Sequence, residues 1–287
     1  ISGGLGASFG YNRSESTNNA IVNVFVGNND FSANTDLSVA GQNIVDQSAD
    51  TSGLNIGGVI SSGNNKAKLT SETETIVKLT GNDAAYVDLN SINVKADSSS
   101  IHSLDADGNG GGLVSVDGLS AYAISDITST TEAYISGKWD VSDTVELFAT
   151  HYDKVKISAD SSKGSLVGYS GTKAENVIDS STKAVFDDNS KIISKDDVDF
   201  AAINTIGYNN EDGDPRYAAD GGGYGGIVVN GAKGIADITS YTQAKVGANA
   251  ELTSEGNITG DARTEATIRN RSRTTGAGFV ANPLASN

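Results

Sequence analysis

Hydrophobic and polar residues alternate along short stretches of this chain, and glycine-rich segments separate the stretches. Examples lie at 92–96, 155–159 and 198–202, where every second residue is Val, Ile, Phe or Ala. A period of two is typical of a β-strand that buries one face. We find no long stripe of period 3.6, and the abundance of Gly, Asn, Ser and Thr disfavours helices. The pattern therefore predicts an all-β protein.

One pattern recurs along the sequence. Residues 126–135 read Asp-Ile-Thr-Ser-Thr-Thr-Glu-Ala-Tyr-Ile, residues 237–246 read Asp-Ile-Thr-Ser-Tyr-Thr-Gln-Ala-Lys-Val, and 177–186 is a looser copy. Two degraded copies lie upstream. Aligning all five gives anchor positions that are 55, 58, 51 and 60 residues apart, namely Ala20, Thr75, Ala133, Ala184 and Ala244. A recurring period of this size indicates a repeat array.

The repeat length favours one architecture over others. A unit of about 55 residues is short for an immunoglobulin-like sandwich of about 100 residues, and its small inward residues suit thin packing layers. We predict a β-solenoid, or parallel β-helix, of about five repeats of 51–60 residues in which each unit buries its apolar face against its neighbours. A serial array of small antiparallel modules is the alternative. The single array spans 1–287, with units at 3–52, 53–110, 111–162, 163–222 and 223–276, and 277–287 as a further unit or tail.

Composition and charge narrow the classes of function. The net charge of −16 repels phosphate backbones, so no nucleic acid is expected as a partner. Cysteine and methionine are both absent, which excludes disulfides and thiol chemistry and fits an exposed, extracellular protein. No apolar run approaches the roughly 18 residues of a transmembrane helix, so no membrane insertion is expected. Because the chain begins at Ile1, we expect a mature or truncated piece whose export signal lies outside it.

Two acidic segments have the composition of calcium-binding loops. Asp105, Asp107 and Asn109 offer oxygen ligands at alternate positions before a run of glycines, and Asp212 and Asp214 form a second group. Calcium is a hard cation that takes several oxygen ligands. The distal Glu of an EF-hand is missing, and a solvated loop between coils is the simpler interpretation. No cofactor is required, and Ca²⁺ is the candidate ion.

The C-terminal part carries an unusual basic stripe. Arg269, Arg271 and Arg273 occupy alternate positions, so on a strand their side chains point to one face. We predict a surface contact there, with an acidic strip such as 196–199 of a neighbouring filament or with an anionic glycan. An exposed face without a partner is the alternative.

The sequence gives no catalytic signature. Only His102 and His151 are present, neither lies at a spacing typical of a metal site or a triad, and a Gly-x-Ser-x-Gly motif is missing. We therefore predict that the protein is not an enzyme. A carbohydrate-active enzyme stays open only by analogy, since β-helices host such activities.

The repeats resemble a known family. Residues 111–113, Gly-Gly-Leu, followed by alternation and then 126–137 are similar to the repeats of giant bacterial filamentous adhesins, the leukotoxin-type large exoproteins; Thr75 departs from the pattern at its anchor. The resemblance implies a secreted or cell-surface β-helical filament that gives a stiff stalk. We expect self-association along or between filaments, because an uncovered terminal coil is a β-edge able to pair with another chain. The alternative function is a module that binds glycan or a host surface through loops at 104–112 and 209–226.

Overall fold

The computed structural model describes residues 2–27, 35–116, 120–208, 219–267 and 269–286. The regular structure of these residues is entirely β, which confirms the predicted class. None of them form a helix of the length and apolarity needed to cross a membrane. The strands are β1 Ser2–Gly4, β2 Ala7–Gly27, β3 Asp36–Gly57, β4 Ile60–Thr80, β5 Val87–Leu89, β6 Ser91–Val116, β7 Ala121–Ser136, β8 Lys138–Val141, β9 Val145–Phe186, β10 Lys191–Ser194, β11 Val198–Tyr208, β12 Ala219–Val246, β13 Glu251–Ser254, β14 Ile258–Ala266 and β15 Ser272–Ser286.

The strands pair in parallel with their equivalents one repeat further along the chain. A first ladder joins β2, β4, β7, the second half of β9 and the second half of β12. A second ladder joins β3, β6, the first half of β9 and β11, and then β14. Partners in the first ladder are separated by 53, 56, 51 and 60 residues, as in the pairs Ala7–Ile60, Asn65–Ala121, Ala121–Thr172 and Thr172–Ala232. The sequence period is therefore the distance between hydrogen-bonded neighbours.

The register corrects two of the five predicted anchors. Ala133, Ala184 and Ala244 are direct neighbours across the first ladder, as predicted. Thr75, however, lies beside Thr131, and Val77 takes the position next to Ala133. The upstream copies were thus aligned out of register, Thr75 by two residues and Ala20 by four, since Val24 pairs with Val77. A shift of two residues keeps every side chain on its own face of a strand, so the alternation alone does not detect it.

A third, short ladder joins β5, β8, β10 and β13, which follow β4, β7, β9 and β12 of the first ladder. It brings Trp139 between Val87 and Ile192. The Trp139 indole is completely buried, and its Nε1–H donates to the carbonyl oxygen of Ser136 at 2.9 Å. Gly81 lies against the ring, because a Cβ on Gly81 would lie 2.6 Å from the indole Cε2.

The core lies between the first and second ladders, whose inward side chains face each other. Phe186 of the first ladder meets Phe200 of the second edge to face, with ring centroids 5.3 Å apart. One apolar cluster surrounds these rings and Trp139, and a second surrounds Leu69, Leu104 and Ile178. Between the two clusters the inward positions are polar. They include Thr75, Ser98, Ser100, Ser129, Thr131, His151, Asp153, Thr182 and Asn204.

Both predicted binding loops need correction. Residues 104–112 are not a projecting loop, because they lie within β6 and pair on both sides, with β3 and with β9. Residues 219–226 belong to β12. The remaining predicted loop residues, 209–218, lie outside the described residues. In-register pairing with two neighbouring repeats holds 104–112 extended, a constraint that the local composition does not express.

Tight glycine turns connect the second ladder of one repeat to the first ladder of the next. Gly57 and Gly225 occupy equivalent places, and a Cβ on Gly225 would lie 1.5 Å from the carbonyl oxygen of Ser165. At Gly57 the same atom would lie 2.0 Å from the carbonyl oxygen of Ile60. No side chain fits at Gly57 and Gly225, so glycine is required at these two turns, although Ser165 occupies the equivalent position of another repeat.

Candidate functional site

A row of aspartates crosses the outer face of the second ladder. Asp107 pairs with Asp160, and Asp160 pairs with Asp220. Asp105 precedes Asp107 by two residues and therefore points to the same face. One carboxylate oxygen from each of Asp105, Asp107 and Asp160 lies within 4.8 Å of the others. We call these four residues the acidic row.

Burial and like charge change the titration of the acidic row. Burial raises the pKa of Asp160 to about 6; the carboxylates of Asp107, Asp105 and Asp220 act in the same direction, while a hydrogen bond from Ser158 opposes them. The Ser158 hydroxyl donates to Asp160 Oδ2 at 3.1 Å. Close carboxylates repel one another when ionised, so a proton or a cation between them relieves the repulsion.

The structure brings together part of the predicted calcium ligands. Asp105 and Asp107 lie in one group, but the third member is Asp160 and not Asn109. Asp212 and Asp214 lie outside the described residues. Asp160 was missed because it is 53 residues from Asp107 in the sequence. The Ala-Asp pair, which occurs at 106–107, 159–160 and 219–220, is the signal that could have found it.

The predicted arginine stripe lies at the edge of the same ladder. Arg269, Arg271 and Arg273 are exposed, whereas the intervening Asn270 and Ser272 are partly buried. This alternation agrees with the expectation that the three side chains share a face. Only Arg273 lies within a strand.

Arg273 lies beside Asp220, the last member of the acidic row. It pairs with Asp220 across β12 and β15. Burial raises the pKa of Asp220, and the charge of Arg273 opposes that change. Asp197, in the strip proposed to meet the arginines, accepts hydrogen bonds within the chain from the backbone N–H of Asn257 at 2.7 Å and from its side-chain amide at 3.2 Å.

The polar layer of the core contains a hydrogen-bonded histidine and aspartate that sequence reasoning missed. His151 Nε2 donates to Asp153 Oδ2 at 2.8 Å, and both side chains are fully buried. Asp153 also accepts from the hydroxyls of Ser100 and Ser129, the latter at 3.3 Å. Thr131 lies 3.4 Å from His151 Nδ1. The components resemble those of a catalytic triad, but their complete burial keeps them from a substrate, so the arrangement satisfies polar groups inside the core.

His102 lies in the same layer with a different environment. It is completely buried, and neither ring nitrogen has a hydrogen-bond partner among the residues that the structure describes. Burial lowers the pKa of His102, and the charge of Asp153 acts against that change. His102 therefore packs as a neutral ring at pH 7.

A polar cavity of about 250 Å³ lies between the ladders near the glycine turns. It is lined by Asn12 and Asn65, whose side chains share a hydrogen bond of 2.7 Å, and by Lys163. Lys163 is 4% exposed, and burial lowers its pKa to about 8. Gly53 and Gly108 also line the cavity, and a Cβ on either would overlap Asn65 or the carbonyl oxygen of Ser120.

The chain was compared with protein families, curated proteins and solved structures. No family model matches the chain, and the searches of curated proteins and of solved structures found no match.

Proposed function

We propose that the chain is a β-solenoid and serves as a structural segment of a secreted or cell-surface bacterial filament or adhesin. The observation that carries the proposal is the parallel, in-register pairing of residues 51–60 apart through successive repeats. In such pairing, the backbone N–H and C=O groups of each repeat form hydrogen bonds with the next repeat. The structure therefore extends when repeats are added. Self-association along or between filaments fits the same geometry.

Side-chain hydrogen bonds between repeats support a load-bearing role. Asn12 bonds to Asn65, and Ser170 donates to Asn230 Oδ1 at 2.9 Å. On the outer face, Lys183 forms an ion pair of 2.6 Å with Glu132 of the preceding repeat. These bonds run in the direction in which the repeats stack and add to the backbone ladder.

The alternative of a glycan- or surface-binding module is weaker. It depended on 104–112 and 209–226 as loops, but 104–112 is a strand paired on both sides and 219–226 belong to β12, while 209–218 lie outside the described residues. We therefore keep the structural role as the proposal and treat glycan binding as an outcome of the test below. We propose no catalytic function, since the histidine and aspartate that come together are fully buried.

The decisive measurement is electron microscopy of the purified chain combined with X-ray diffraction of concentrated, aligned material. We expect fibres that are longer than the axial height of about 24 Å given by six stacked repeats, and a strong axial reflection near 4.8 Å, the spacing between hydrogen-bonded strands. One repeat then advances the stack by about 4.8 Å, while a 21-residue strand such as β2 spans about 70 Å across it. Compact particles without this reflection would contradict the structural role. Specific binding of the chain to a glycan array would favour the alternative of a glycan-binding module.

We propose calcium as a ligand of the acidic row. Asp105, Asp107 and Asp160 offer oxygens within 4.8 Å of one another, a separation that a cation bound to oxygens at about 2.3–2.6 Å can span. The residues fit the ion because they supply negative charge and oxygen ligands only. Extracellular calcium would then hold neighbouring repeats together on this face.

Asp160→Asn should change stability in opposite directions with and without calcium. The pKa of Asp160, about 6, lies above the ordinary value of 3.8. Its contribution to stability is therefore present at low pH and is lost as the pH rises through 6. Without calcium the variant should be more stable at pH 7.5 by about 1 kcal/mol, after allowance for partial exposure, and the gain should shrink towards pH 4.

With calcium the wild type should gain more than the variant. At ten times the dissociation constant, the ion adds about 1.4 kcal/mol, or about 3–6 °C in Tm, to the wild type alone. Thermal denaturation with EDTA and with CaCl₂ checks both signs. Asp179→Asn, an exposed aspartate on β9, is the matched control. Equal responses of wild type and both variants to CaCl₂ would refute the calcium site.

A further inference from the structure

Each glycine turn is followed by an exposed apolar side chain at the corner of the structure. Leu166 is 64% exposed and Leu113 is 54% exposed, although both belong to residue types that ordinarily pack inside. The same feature occurs at all six described turns. We call these residues the corner ridge: Leu5, Val59, Leu113, Leu166, Ile227 and Phe279.

The ridge is in register at Leu113 and Leu166, whereas Ile227 is displaced by one residue, because Gly226 lies opposite Leu166 and Phe279. Leu5 is displaced in the same way, since it lies opposite Gly58. The strands that leave the turns pair Val114 with Val167, Val167 with Ile227, and Ile227 with Val280. The position that follows Leu113, Leu166, Gly226 and Phe279 is thus apolar in each of these repeats, and Val280 is 58% exposed. Six turns at a spacing of about 4.8 Å form an apolar line about 24 Å long.

The corner carries no formal charge. Charged residues make up 20% of the chain, yet none occurs in the corner segments. Those segments are 2–12, 53–63, 108–116, 164–171, 221–232 and 274–286. Asn, Ser and Asp are typical of turns and would keep this surface soluble. The repeated occurrence of Leu, Val, Ile and Phe instead indicates a binding partner.

The apolar tips have no role in the core. The two buried clusters use side chains between the ladders, and none of the six ridge residues belongs to either cluster. The turn itself requires glycine at Gly57 and Gly225 but not an apolar residue after it. Extended apolar patches on soluble proteins mark interaction surfaces.

We propose that the corner ridge is a docking surface for the ridge of a second copy of this chain, so that two arrays lie side by side. The proposal deepens and rests on the proposed structural function, because it assigns the surface through which filaments associate laterally. Apolar burial along the line would drive the contact.

A second copy fits this surface better than other partners. Two ridges share one axial spacing, so the in-register tips Leu113 and Leu166 of one copy lie against tips of the other. Each chain has a net charge of −16, and the uncharged corners let two copies touch while their carboxylates stay apart. A membrane surface is a poorer occupant, since the corner segments contain no lysine or arginine to attract anionic headgroups.

The expected affinity follows from the small area. A ridge of this length presents a patch of a few hundred Å², below the roughly 800 Å² per partner of a standard stable interface. One chain should therefore dimerise weakly, at protein concentrations near 100 μM. Because the contact lengthens with each added repeat, a longer array should pair more tightly.

Cysteine cross-linking tests the contact in a background without native cysteine. Leu113→Cys and Leu166→Cys lie at the middle of the ridge, where two paired copies meet in either orientation. At 100 μM under mild oxidation we expect both variants to form disulfide-linked dimers at least fivefold more than Ile44→Cys. Ile44 is 70% exposed on the outer face of β3 and is the matched control. Equal cross-linking of ridge and control cysteines would overturn the proposal.

Charge substitution tests the driving force. The double variant Leu113→Glu/Leu166→Glu should raise the dimer dissociation constant at least tenfold in sedimentation equilibrium. Ile21→Glu/Ile44→Glu adds the same charge at exposed positions away from the ridge and should leave it unchanged. A wild type that stays monomeric at 100 μM, or binds neutral phosphatidylcholine vesicles through the ridge instead, would refute self-docking. Arrays that stay unpaired but keep the 4.8 Å reflection would refute lateral docking alone. Loss of the reflection would also refute the proposed structural function.

Discussion

Trp139→Ala should lower the free energy of unfolding by about 3–5 kcal/mol, the range found when a large buried aromatic is removed. The Trp139 indole is completely buried between Val87 and Ile192 of the neighbouring repeats. Gly81 lacks a side chain that could move into the space. The substitution therefore leaves a cavity at the centre of the short ladder and uncouples repeats on both sides.

Denaturant unfolding followed by circular dichroism checks this result. Trp139→Phe keeps most of the apolar volume but loses the hydrogen bond to the Ser136 carbonyl oxygen, so it should cost about 1–2 kcal/mol. Tyr86→Ala removes an aromatic ring that is 43% exposed and should cost under about 1 kcal/mol. A Trp139→Ala variant as stable as Tyr86→Ala would show that the short ladder does not pack as described.

Asp153→Leu should be comparably destabilising, by about 3–5 kcal/mol, because it breaks a buried pair from one side. The carboxylate accepts from His151 Nε2 at 2.8 Å and from the hydroxyls of Ser100 and Ser129. All three donors would lose their acceptor in a part of the core that is closed to solvent. Unsatisfied buried donors retain their full desolvation cost.

Two further variants separate this mechanism from loss of volume. The double variant His151→Leu/Asp153→Leu removes the strongest donor together with its acceptor, so it should be less destabilised than Asp153→Leu alone. Asp88→Leu, at an exposed position of β5, should change stability by under about 0.5 kcal/mol. Chemical denaturation of the wild type and the three variants provides the comparison, and His151→Leu alone completes the double-mutant cycle. If the double variant were the least stable, the polar layer would contribute through packing and not through hydrogen bonding.

The alternation of apolar and polar residues and the repeat period predicted the coarse architecture. Val, Ile and Ala at every second position allow one buried face of a strand and no helix, so the all-β class is a local property of the sequence. The spacing of Ala133, Ala184 and Ala244 predicted which segments are neighbours, because equivalent residues of a stacked repeat lie side by side. These inferences need no knowledge of distant contacts.

The register, the polar layer and the acidic row were decided by the tertiary structure. Thr75 pairs with Thr131 although its local pattern fits two alignments equally well, since a shift of two residues preserves the buried face. Asp160 joins Asp105 and Asp107 only through strand pairing across 53 residues. Segment 104–112 has the composition of a loop, but its neighbours on both sides hold it extended.

The two histidines and the corner ridge show the same division at the level of single side chains. The sequence determined that His102 and His151 are the only histidines and that apolar residues follow the glycine turns. Only the packing of two ladders against each other enclosed both histidines beside Asp153, and only the sharp turn at each corner left Leu113 and Leu166 in solvent. Alternation places a side chain on a face of its strand. Which face is covered depends on the element that packs against it, and that contact comes from residues far away in the chain.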